Sequence, residues 1–272
     1  DIGTAKATRE ERSSVPHHLI DIVDPDDEYN AAHFTRDALQ AIQAIHGRGA
    51  LPVLTGGSGL YLKALKNGLF TDIPTDASIR ENLKRRIAEE GSHPLHRELS
   101  VHDPVSAASI HPNDAYRIAR ALEVFLSSGI PLSSHFKQQG IRETPIVFAN
   151  LFSIGLTSAR PDLYRRIEKR SAQMLAEGLE EEVRTLLDRG YDPTLKSMQS
   201  IGYRHMVHYI TGSWTLEETA HLLTRDTRHY AKRQFTWFKK DHSLIWKDTL
   251  DQDGIVAMVG GWLDTRPPGS TD

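Results

Sequence analysis

Between residues 31 and 65 the chain passes from a helical period through a short apolar run and a cluster of glycines into a second helical period. Phe34, Ala38, Leu39, Ile42 and Ile45 recur at helical spacing through residues 31–48, and Gly49 supplies a stop. LPVLT at 51–55 has the apolar character of a buried strand, Gly56, Gly57 and Gly59 surround Ser58, and LYLKALKNGL resumes the helical period. Helix, strand, glycine turn, helix is the order in which a parallel sheet is built, since parallel strands are joined by crossover helices. The pattern predicts an α/β fold.

Strand signals then vanish from 71 to about 140. Helical stretches near 77–90, 94–99, 103–110 and 114–128 follow one another, separated by Gly91, Pro94, Pro104 and Pro112. PIVFANLFSIGL at 145–156 returns the chain to the sheet, long helices follow at 161–177 and 179–189, and SLIWK at 243–247 reads as a last strand. We therefore expect an α/β core from residues 1–70 and 141–265, a mostly helical insertion over 71–140, and a disordered tail at 266–272.

The chain has no cysteine, which removes thiol nucleophiles, disulfides and Cys-ligated metals together and favours an intracellular setting. No run approaches the roughly 18 apolar residues of a membrane helix. His93/His96 and His205/His208 are each spaced three apart, but no carboxylate or third histidine stands at a recognised ligand spacing, so no metal site is expected from them.

Against a net charge of −3, residues 225–240 hold six Lys/Arg and one acid. At about 100° per residue, Arg225, Arg228, Lys232, Arg233, Lys239 and Lys240 fall in one arc of about 140°. Such a face suits RNA phosphates, with Arg225, Arg228, Lys232 and Arg233 as the contacts, and suits equally a solvated surface. Three further segments carry similar chemistry. The glycines around Ser58 let the backbone turn tightly and present amides at a helix N-terminus, where phosphate binds well. HPNDAYRIARALEVF at 111–125 sets Tyr116, Arg117 and Arg120 in the first turns of a capped helix, with Ile118, Leu122 and Phe125 on a packing face. In YRRIEKR, Arg166 and Arg170 share a face and fit a diphosphate, although Glu168 and Glu180 to Glu182 are equally able to absorb them in salt bridges. QSIGYR at 199–204 forms a turn offering Tyr203 for stacking and Arg204 for phosphate.

DIGTAKAT at 1–8, VPHHLIDIVDPDDEYNAAHF at 15–34, LTGGSGLYLKAL at 54–65, HPNDAYRIARALEVF, YRRIEKR, SIGYR and YAKRQFTWF, in this order, resemble the bacterial tRNA dimethylallyltransferase (tRNA isopentenyltransferase) family across nearly the whole chain. The resemblance implies a P-loop-kinase-like core with a helical insertion, and transfer of a dimethylallyl group from its diphosphate to N6 of the adenosine 3′-adjacent to the tRNA anticodon, with Mg²⁺ present. It also implies a cytoplasmic enzyme, taken here as a monomer without membrane attachment. Carried over by motif, the RNA contacts are Ser58, Arg80, the stretch Tyr116, Arg117, Ile118, Ala119 and Arg120, and the stretch Gln199, Ser200, Ile201, Gly202, Tyr203 and Arg204; Arg166 faces the diphosphate, with Arg170 beside it on the helix.

In the family a phosphate-binding loop and an acidic general base precede the DIGT element, whereas this chain begins at Asp1 of that element and contains no G-x-x-x-x-G-K-S/T. No catalytic residue is therefore assigned within it, and the chain by itself is expected to be inactive. Ala7, Ser58 and His205 stand where the family more often has Pro, Thr and Gln. The competing readings are a non-catalytic RNA-binding protein, an adenine-nucleotide prenyltransferase and a small-metabolite kinase.

Overall fold

The computed structural model describes residues 1–68, 76–139, 148 and 150–265. In chain order its elements are α1 (Arg9–Ser14), α2 (Ala31–His46), α3 (Gly59–Asn67), α4 (Ala77–Glu90), α5 (Ser92–His102), α6 (Pro104–Ser109), α7 (Ala115–Ser128) and α8 (Leu132–Gln139), then β1 (Ile154–Thr157), α9 (Arg160–Ala176), α10 (Leu179–Asp188), α11 (Tyr203–Ile210), α12 (Leu216–Phe238), β2 (Ile245–Asp248) and α13 (Gln252–Asp264). They divide into two compact units, Asp1–Leu65 with Phe148–Asp272, and Lys66–Val147.

The second unit is helical. Asp76 caps α4 by accepting from the amides of Ser78 and Ile79, and Asp114 caps α7 by accepting from Arg117 N at 3.1 Å. Gly129, in the left-handed region at φ 70°, ends α7. Asp103, almost wholly buried, bonds the Ser106 amide and hydroxyl and the Ser133 amide, tying α6 to the start of α8. Leu83, Leu95, Leu99, Ile118 and Leu122 fill the core, each worth about 1.5–3 kcal/mol of burial. His96 sits with Nε2 3.1 and 3.0 Å from the carbonyls of Ala107 and Ile110, a helix-tying contact.

The first unit holds a parallel pair, β1 beside β2 in the register Ile154↔Ile245 to Thr157↔Asp248, with α9 to α12 in the crossover. Its core is Leu179, Val183, Met198, Met206, Val207 and Leu223. The α/β class and the helical insertion expected from the sequence are both present.

One element differs. Residues 51–56 form no strand, and Leu51, Val53 and Leu54 are exposed, Val53 at 74%. An apolar run becomes a strand only beside another strand's amides and carbonyls, and among the described residues β1 and β2 pair with each other and none lies against it. Of the run at 145–156, residues 145–147 and 149 lie outside the described residues, as does the tail at 266–272; β1 begins at Ile154.

Candidate functional site

Helix α12 is the spine to which the functional segments of the first unit attach. Gln234 donates from Nε2 to the Gly57 carbonyl at 3.1 Å, and Trp237 lies over Gly59. A Cβ at Gly57 would stand 1.9 Å from Gln234 Nε2, and one at Gly59 would stand 2.2 Å from the Trp237 ring. None of the three turn glycines has positive φ, so at Gly57 and Gly59 the lost side chain serves close approach of α12 rather than the tight turning expected from sequence. Ser58 is exposed, and its carbonyl accepts from Tyr61 N and Leu62 N to start α3. The backbone on either side of Ser58, at the α3 N-terminus, is thus held by a helix far along the chain.

About 12 Å away along α12, by its 1.5 Å rise per residue, Asp226 holds a second turn. Arg204 Nη2 and Arg225 Nη2 both donate to its carboxylate. Burial pushes the Asp226 carboxyl up, but the two guanidiniums outweigh this and hold it below the usual range. Gly202, at φ 97°, does require glycine. Gln199 and Ser200 are exposed, whereas Tyr203 is 7% exposed, its ring packed on Gly3 and its hydroxyl bonded to Glu182. The expectation that Tyr203 offers its ring to a base is therefore corrected: the phenol is used to seat the DIGT segment. Glu182 completes that seat by accepting from Ile2 N at 2.6 Å and from the Asp1 ammonium at 2.6 Å. Burial raises the Glu182 pKa, and these bonds more than reverse it.

Arg166 is exposed and donates Nη1 to Thr249 Oγ1 at 3.3 Å, just past the C-terminal end of β2. That edge of a parallel sheet is where α/β folds bind ligands. Of the acids able to absorb Arg166 and Arg170, Glu168 pairs with Arg228, Glu180 with Arg184 at 2.8 Å, and Glu182 with the DIGT seat. Arg170 is exposed beside it.

The cationic face of α12 splits. Arg225 is spent on Asp226, and Arg228 on Glu168, with its guanidinium 4.7 Å from the Tyr164 ring centroid. These two, expected as phosphate contacts, are drawn into internal ties. Lys232 and Arg233 are exposed, Arg233 resting on Tyr230, and among the described residues neither has an acidic partner. Lys239 and Lys240 lie beyond the last helical residue, Phe238. Accordingly, replacing Lys232 and Arg233 with alanine should lower the slope of log affinity for RNA against log salt by about 1.4–1.8, since each lost phosphate contact removes about 0.7–0.9. Arg228→Ala should leave the slope unchanged while lowering the melting temperature; equal slopes in all three proteins would remove α12 from the RNA surface.

In the helical unit, Glu123 is 3% exposed and joins two segments that look separate in sequence. Its Oε1 accepts from Arg80 Nη2 and its Oε2 from Arg120 Nη1, both at 3.0 Å. The two guanidiniums remain partly open to solvent. Tyr116 is 79% exposed, and Arg117 pairs loosely with Asp114 at 3.3 Å. Ile118 is wholly buried in the core and Ala119 packs against it, so of this stretch Tyr116, Arg117 and Arg120 are the side chains that face outward. Sequence reasoning missed Glu123, Glu182 and Gln234; only Glu123, three residues after Arg120, carried a local signal.

A family model described as IPP transferase matches residues 1–241. The tRNA dimethylallyltransferase of Desulfotalea psychrophila is 50% identical over 266 residues, covering 98% of this chain and 84% of the relative, and that of Geobacter metallireducens is 46% identical, covering 96% and 84%. Among solved structures, the full-length tRNA isopentenylpyrophosphate transferase of Bacillus halodurans superposes with a TM-score of 0.68 at 42% identity, covering 97% of this chain and 84% of that one. A eukaryotic dimethylallyltransferase acting on tRNA superposes with a TM-score of 0.77 at 26% identity, covering 98% and 70%.

Proposed function

The chain belongs to the IPP transferase family, and on that premise we propose that the full-length protein transfers a dimethylallyl group from dimethylallyl diphosphate to N6 of the adenosine 3′-adjacent to a tRNA anticodon. The N6 nitrogen attacks the allylic carbon, the bond from that carbon to the diphosphate oxygen breaks, N6 gives up a proton, and pyrophosphate leaves. An adenine amine is a poor nucleophile, so the work of the protein is to extrude the base, hold it against the allylic carbon and neutralise the departing charge. The observation that carries this reading is Arg166, open at the C-terminal edge of β2 while Glu168, Glu180 and Glu182 are committed elsewhere. Arg166 and Arg170 bind the diphosphate.

Ser58, Lys232, Arg233 and the Gln199–Arg204 turn contact RNA from the first unit; Arg80, Tyr116, Arg117 and Arg120 do so from the second, with the exposed Tyr116 ring as a stacking platform. The family implies Mg²⁺; among the described residues no three His, Asp or Glu side chains converge into an all-protein metal site, so such an ion would be held largely by the diphosphate oxygens, and no step is routed through one. None of the described helices is long and apolar enough to cross a membrane. The enzyme acts as a monomer in the cytoplasm, where tRNA is used.

Labelled dimethylallyl diphosphate offered to the full-length protein with unmodified tRNA and, separately, with adenosine monophosphate tests the proposal. Label should enter N6-isopentenyladenosine in tRNA alone; label in the mononucleotide would establish the adenylate reading instead, and tRNA binding without transfer would establish an RNA-binding protein.

A further inference from the structure

His205 is wholly buried, in the first turn of α11, and touches both the Gly202 turn and α12. Its Nδ1 lies 3.3 Å from Gly202 N, whose N–H points at it, and its Nε2 lies 3.3 Å from Asp226 Oδ2. Nδ1 must therefore carry a lone pair and Nε2 the proton, which is one neutral tautomer of the ring. The same Asp226 oxygen takes the Arg204 guanidinium. One imidazole thus sets both the backbone of the turn and, through a shared carboxylate, the side chain at its end.

We propose that His205 is a positioning residue whose neutral imidazole holds the Gly202 turn and Arg204 in the geometry that grips tRNA. The proposal rests on the reading of Gln199–Arg204 as an RNA contact. Protonating Nδ1 would set two N–H donors against each other at Gly202, and the turn would have to open. The surroundings resist that proton. Arg204 precedes His205 on α11, and α12 brings Arg225 beside Asp226, whose charge the two guanidiniums already share. The Trp214 ring covers His205 with centroids 5.9 Å apart and stacks at 4.2 Å on His208, and the same Trp214 lines a pocket with Glu217, Glu218 and His221. Burial first, then Arg204, holds the His205 pKa below the usual imidazole range, so the gripping form prevails at neutral pH and is lost only as pH falls through that lowered value.

His205→Gln supplies an amide oxygen toward Gly202 N and an amide N–H₂ toward Asp226 without titrating, whereas His205→Leu supplies neither. Affinity for an anticodon stem-loop measured from about pH 8 to about pH 5 should fall roughly tenfold further in the wild type than in His205→Gln, the limit for one linked proton being about tenfold per pH unit. Subtracting the glutamine variant cancels titration of the RNA and of the other histidines. His205→Leu should bind weakly at every pH. Parallel pH profiles of wild type and His205→Gln would overturn the proposal even if the leucine variant fails to fold. Arg204→Ala separates the premise: undiminished affinity there would discard the turn as an RNA contact, while weakened affinity with parallel profiles would discard His205 alone.

Discussion

Replacing Arg166 with alanine in the full-length protein is expected to slow dimethylallyl transfer by about 10²–10³-fold in single-turnover measurements, the cost of removing one donor aimed at developing charge. The charge that grows in the transition state is on the departing diphosphate, and a guanidinium matches its oxygens with two parallel donors. On that proposal Arg166 acts by position rather than by burial: among the described residues its one side-chain tie is to Thr249, after β2, and Glu168 and Glu180 are paired with other arginines. Affinity for tRNA should change little, which distinguishes lost chemistry from lost binding. Arg166→Lys should recover part of the rate, because a point charge remains without the fork. A variant transferring at the wild-type rate would move the diphosphate away from this edge of the sheet.

The second large effect falls on stability. Gly59→Ala should lower it by about 1–3 kcal/mol, the usual cost of forcing extra volume into a packed contact. Two terms oppose one another here. Gly59 opens α3, so alanine gains up to about 1 kcal/mol of helix propensity, but its Cβ would sit 2.2 Å from the Trp237 ring. That ring is 40% exposed and can swing outward only by giving up its packing, so the clash wins. Gly57→Ala meets the far end of Gln234, a flexible side chain, and should cost only the hydrogen bond, about 1 kcal/mol. Thermal melts of the two variants give the comparison; Gly59→Ala melting at or above the wild type would mean that α12 does not press on the turn.

Much of the helical framework was legible because its determinants are local. The stretch 77–90 coincides with α4 and 114–128 nearly with α7, each opened by an aspartate cap and closed by glycine. The run 51–55 misled because strand character is completed by a neighbour, which hydropathy does not supply. Tyr203 and Ile118 misled for a related reason: a motif marks which residues matter together, and burial then decides which of them turn inward to brace the others. In the Gly202 turn, Tyr203 does the bracing, while Arg204 keeps its guanidinium partly in solvent.

From sequence alone came the order of helices, the parallel α/β class, the absence of thiol chemistry and the segments rich in arginine and glycine, all of which follow from residue type and from spacings of three or four. The tertiary structure alone decided which cations stay free. Arg204 meets Asp226 across 22 positions, Arg80 meets Glu123 across 43 and Arg228 meets Glu168 across 60. Folding decides which cations stand without an acidic partner, as Lys232 and Arg233 do among the described residues, and which are oriented by a carboxylate, as Arg204 and Arg80 are; separations of that size are closed by packing of the core rather than by any local propensity.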